Sequence, residues 1–169
     1  IVKGNVDFRT GNITFKGDVI VKGNVNETFS VEAEGSITVE GNVDRAALRS
    51  GADILVEGGI YGKENILVEA GGSISTRFAE NARLRANGSI YVKNFLINCE
   101  TWAGERLFLK GAGKSLIGGT VYAAHGVDAY MLGNPRIATK TFIEFGLQPQ
   151  TMQQARALAT EFETADEDR

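Results

Sequence analysis

Glycine and apolar positions recur with a six-residue beat along residues 11–43. Positions 11, 17, 23, 29, 35 and 41 read Gly, Gly, Gly, Phe, Gly and Gly. Two residues on, positions 13, 19, 25, 31, 37 and 43 read Ile, Val, Val, Val, Ile and Val. Short β-branched strands broken by Gly-Asn, Gly-Asp and Gly-Ser corners at fixed spacing predict a β-solenoid. Side chains alternate in and out along a strand, so I-x-V and V-x-V each send two apolar groups inward. Asn and Asp after Gly are expected at the corners for their tolerance of left-handed backbone angles.

The repeat that matters is longer than six. Gly4, Gly23, Gly41 and Gly58 are separated by 19, 18 and 17 residues, which makes a coil of three strands and three corners. That phase stacks Val19, Ile37 and Ile54, then Val21, Val39 and Val56, then Val25, Val43 and Ile60. A third face would stack Ile13, Val31, Leu48 and Ile66. At about 4.8 Å per coil, six to seven coils of about 18 residues make a rod on the order of 30 Å long. After Leu48 the six-residue phase slips by one, and coils of roughly 16–20 residues follow, their corners absorbing insertions. Strict hexads typify left-handed prisms, so the slip favours a right-handed coil. Leu107, Leu109, Ile117 and Val121 continue the alternation, and residues 137–146 predict a last strand through Ile137, Thr139, Thr141, Ile143 and Phe145.

Gly146 and Pro149 break the pattern. From 150 to 163, Met152, Ala155, Ala159 and Phe162 fall on one stripe with Leu158 beside it, which predicts a short α-helix. That helix would lead away or pair with another chain, or else fold back over the solenoid end. The expected organisation is thus an all-β solenoid domain at 1–146, then a helix and acidic tail at 147–169.

Composition narrows the function classes. Twenty-one glycines with two prolines suit tight corners better than a low-complexity linker. The net charge of -3 is concentrated in the tail, where residues 161–169 carry five acids and one base. The rest is near neutral, so no nucleic-acid interface is expected. No apolar run approaches the roughly 18–20 residues of a membrane span. The one cysteine, Cys99, rules out an intrachain disulfide framework and fits a reducing compartment. The chain opens at Ile1 inside the repeat pattern, as a piece of a longer protein would.

Candidate chemistry is sparse. Gly111-Ala112-Gly113-Lys114-Ser115 contains GKS, but a P-loop needs its first glycine at position 108, which is Phe108. His125, the one histidine, could serve as the general base of a hexapeptide-repeat acyltransferase, with Asp128 as the nearby carboxylate to orient it. Cys99 and His125 are too few for a Cys/His metal site, and nothing else points to them as a catalytic pair. Asp18, Asp53, Glu34, Glu40 and Glu57 could line a sugar groove with Trp102 and the tyrosines, but a solvated outer face is the ordinary reading. The sequons at Asn12, Asn26 and Asn87 are expected by chance in such a composition. No catalytic, cofactor or metal residue is assigned.

Taken together, GNVDFRTGNITFKGDVIVKGNV, GSITVEGNV, DILVEGGIYG, GSIYVKNFLI, LIGGTVYAA and the closing LGNP…TKTFIEFG resemble the C-terminal β-helical domain of the flagellar assembly protein A family. The resemblance covers residues 1–146, and lies more distantly toward the bactofilins, polymer-forming bacterial β-helices. It implies a cytoplasmic bacterial protein without catalytic activity, a scaffold for flagellum assembly or placement at the cell pole. The partners it implies are proteins, flagellar or polar components, with no cofactor. Self-association through the C-terminal helix or the open solenoid end at Ile1 is a further expectation. The competing reading is the acyltransferase with His125 as base; a bactofilin-like filament subunit is the third.

Overall fold

The structure is a computed structural model that describes residues 1–63, 66–109, 111, 113–136, 139–146, 154 and 157. The helix expected over 150–163 falls almost wholly outside the described residues. Strands follow one another as β1 (Ile13–Phe15), β2 (Val19–Val21), β3 (Ser30–Ala33), β4 (Ile37–Val39), β5 (Val43–Asp44), β6 (Ala47–Ser50), β7 (Ile54–Tyr61) and β8 (Leu67–Ala70). Then come β9 (Ile74–Glu80), β10 (Arg83–Ala86), β11 (Ile90–Ala103), β12 (Arg106–Leu109), β13 (Ser115–Ala123), β14 (Gly126–Ala129), β15 (Met131–Leu132) and β16 (Thr141–Phe145). Among the described residues every pairing is parallel, each strand bonding to a strand of a neighbouring coil and most of them to the coils on both sides. The result is an all-β parallel solenoid of about 7 turns.

Three faces share the strands. The first stacks β1, β3, β6, β8 and β10, the ends of β11 and β13, and β16. The second stacks β2, β4, the starts of β7, β9 and β11, then β12 and β14. The third carries β5, the ends of β7 and β9, the middle of β11, the start of β13, and β15. β11 alone runs around all three sides.

Inward positions form unbroken apolar columns. Val19, Ile37, Ile54, Ile74, Ile90 and Leu107 follow one another, each at most 4% exposed. On the first face Val31, Leu48, Val68, Leu84, Thr101 and Val121 do the same. The expected fourth member, Ile66, is replaced by Val68, because the coil from Ile54 to Ile74 is longer and its extra residues fall before β8. The last strand begins at Thr141 rather than 137: the Thr141 hydroxyl accepts the Gly118 amide at 2.9 Å, and 139–140 lie outside the ladder. Beside the large columns runs a small one, Ala33, Ser50, Ala70, Ala86, Ala103 and Ala123, where the first face bends toward the second.

The Gly-Asn corners work differently from the expectation. Asn5, Asn24 and Asn42 do not adopt positive φ; the non-glycine residues that do are Thr28, Arg45, Asn81 and Asn98. Instead the Asn24 amide donates to Asn5 Oδ1 at 2.9 Å, Asn42 to Asn24 Oδ1 at 2.8 Å, and Gly59 to Asn42 Oδ1 at 2.8 Å. A second corner repeats the device: Ser36 donates to Asp18 at 2.7 Å, Ser73 to Asp53 at 2.7 Å, and Ser89 to the Ser73 hydroxyl at 3.2 Å. In each case the residue before the donor is glycine, and a Cβ there would collide with the accepting oxygen. The glycine makes room for the side chain of the coil below.

Candidate interaction surface

The solenoid's candidate reactive groups are dispersed. Asp18 and Asp53 are corner acceptors in the ladder just described. Glu40 pairs with Lys22 on the outer side of the second face, and Glu57 is exposed beside it in the chain direction. These carboxylates therefore do not converge. Among the described residues no group of three or more His, Cys, Asp or Glu side chains could hold a metal ion.

His125 stands exposed in the bend between β13 and β14, its backbone N–H donating to Glu105 O at 2.8 Å. Asp128 follows three residues on, within β14. Cys99 is 1% exposed in the core, its thiol donating to Ile97 O at 3.3 Å, and burial pushes that thiol up to about 12. An inert thiol inside and an imidazole outside do not form a pair. The GKS string is a tight turn. Gly111 and Gly113 adopt φ of 117° and 78°, Lys114 N–H donates back to Gly111 O at 3.3 Å, and Ser115 starts a strand, not a helix.

Trp102 is shielded from solvent by its neighbours. It sits on the outer side of β11 yet is 5% exposed, stacked on Tyr122 at 5.6 Å with the rings 11° apart, and the Arg83 guanidinium lies 5.8 Å from its ring centroid. Other outer columns are aromatic too. Phe78 stacks on Phe95 at 4.9 Å and meets Tyr61 at 5.3 Å, and Tyr91 stacks on Phe108 at 5.0 Å. Sequence reasoning missed these columns, although Phe78/Phe95 and Tyr91/Phe108 are each 17 residues apart, one coil. The Phe78 ring lies across Gly59, where a Cβ would strike it.

A groove of about 1010 Å³ runs along the outer side of the first face past Thr14, Glu32, Arg49, Glu69 and Gly71. Its rungs alternate in charge, and Glu69 ties two of them together, to Arg49 at 3.3 Å and Arg85 at 3.9 Å. Such surface pairs are worth up to about 1 kcal/mol each, so they set the charge pattern of the surface more than its stability.

A filled parallel solenoid whose outer sides carry stacked aromatic and ionic columns is the class of protein these observations define. The family of flagellar assembly protein A β-solenoid domains matches residues 1–168, and the chain belongs to it. No curated protein and no solved structure matches the chain. No helix among the described residues is long and apolar enough to cross a membrane.

Proposed function

We propose that the chain is a non-enzymatic rod that acts in flagellum assembly or polar placement by holding protein partners along its length, in the bacterial cytoplasm. The observation that carries this reading is the use to which the polar groups are put. Asp18, Asp53, Asn5, Asn24 and Asn42 serve the ladder itself, Cys99 is sealed in the core, and His125 is exposed in a bend. Membership of a flagellar assembly family supports the direction of the function. What the solenoid offers outward is a stiff surface with columns repeating about every 4.8 Å, suited to contacts spread over several coils.

A pull-down with the protein as bait tests the reading. Recovery of flagellar or polar components is expected, and recovery of a metabolic pathway instead would count against it. His125→Ala separates the acyltransferase alternative: full flagellar function in cells carrying it is expected, whereas loss of function with the fold intact would revive a general base.

A further inference from the structure

The outer column of the second face runs through Thr38, Leu55, Ser75, Tyr91 and Phe108, one residue per coil. Leu55 is 38% exposed and Tyr91 46%, with the small Ser75 between them. Tyr91 stacks on Phe108 at 5.0 Å with the rings 6° apart, close to the rung spacing of the ladder itself. Its neighbour on the other side is Ser75, whose side chain is too short to cover a ring. Leu55 and Tyr91 stand two rungs apart, about 9.6 Å. A flat ring laid over Ser75 would sit one rung from each and continue the stack that Phe108 and Tyr91 begin.

Positive charge lies beside this notch. Arg77 and Lys93 stand two residues beyond Ser75 and Tyr91 on the same outer side, about 7 Å along the strands. Both are exposed, and neither is in an ion pair among the described residues. Glu57 holds the same place beyond Leu55, so the cations flank only the Ser75–Tyr91 half of the notch. An occupant must therefore bring a ring for the notch and carboxylates for the two cations. A nucleic-acid backbone needs a longer track of cations, and Glu57 interrupts this one. A protein segment with an aromatic residue one or two positions from its acids meets both needs.

We propose that the notch over Ser75 is a docking site for an acidic segment of a partner protein, its aromatic ring stacked on Tyr91 and its carboxylates on Arg77 and Lys93. This rests on the scaffold reading and deepens it by giving one partner's chemistry. It is read with synthetic peptides, so its failure leaves the pull-down result standing.

Fluorescence anisotropy tests it with a labelled peptide carrying one phenylalanine flanked by glutamates. Binding below about 1 mM is expected, weakening as salt is added. Replacing the phenylalanine by alanine, or the glutamates by lysines, should weaken it about tenfold or more. Ser75→Phe fills the notch with a ring of the chain's own and should abolish binding. The double variant R77E/K93E should reject the acidic peptide and take up the lysine-flanked one, a gain that a folding defect cannot give. No binding below about 1 mM overturns the proposal. Equal binding of the alanine peptide, or undiminished binding to Ser75→Phe, overturns it as well, because the ring then has no part in the contact. Tighter binding of oligothymidylate than of the acidic peptide makes a nucleic acid the occupant and overturns it too.

Discussion

At the residue scale, the most demanding positions are the glycines that precede a ladder donor. A Cβ on Gly41 would meet Asn24 Oδ1 and the backbone of Gly23, whereas one on Gly4 would meet nothing within 4 Å. Neither glycine has positive φ, so the difference is space alone. Gly41→Ala should cost about 1–3 kcal/mol by forcing two coils apart. Gly4→Ala should be neutral or stabilise by about 0.4–1 kcal/mol through the unfolded chain. Denaturant melts of the two variants check this, and equal effects would remove the spacing argument. Thr101 is the opposite case. It fills a column of Val and Leu at 0% exposure, and its hydroxyl has no hydrogen-bond partner among the described residues. A buried unsatisfied hydroxyl costs about 1–3 kcal/mol, so Thr101→Val should stabilise by about 1 kcal/mol. A lower melting point in that variant would mean that the hydroxyl is served after all.

At the element scale, strands were legible wherever β-branched residues kept the coil length, as in Val19–Ile37–Ile54 and Val25–Val43–Ile60. Legibility failed where composition carried no period. The alanine column from Ala33 to Ala123 gives no hydropathy contrast, and the corner before β8 hides its added residues until pairing replaces Ile66 by Val68. The Gly-Asn corners were legible as spacing but not as mechanism, because a side chain bonding 18 or 19 residues ahead leaves no local mark. For the candidate surface, Trp102 gave no sign in sequence of its stacking on Tyr122, which is 20 residues away in a longer coil. β11 also carries Cys99, and its raised pKa has a consequence with a definite sign. An unfolded thiol ionises near pH ~8.5, while the folded one, held up by burial, keeps its proton until about 12. Its contribution is whole below the lower value and is lost as pH rises toward the upper one, by about 1.4 kcal/mol per pH unit. Stability measured between those limits should therefore fall less steeply in Cys99→Ala than in the parent chain. Parallel slopes would mean that the thiol ionises alike in both states.

At the scale of the whole molecule, each coil touches only its neighbours, so stability is close to a sum of coil and interface terms. Among the described residues, coils in the middle have a ladder on both sides and those at either end have it on one. Val2 and Ile143 are only partly buried, while Ile74, Leu84 and Leu96 are sealed at 0%. Opening from the ends should then require less free energy than opening from the middle. Hydrogen exchange should grade along the axis, with amides of β9, β10 and β11 exchanging about tenfold or more slowly than those of β1 and β16. Core substitution sharpens the contrast: Leu84→Ala should cost about 2–5 kcal/mol and speed exchange most in the coils next to β10. Uniform protection from Val2 to Phe145 would show that the rod opens as one cooperative block.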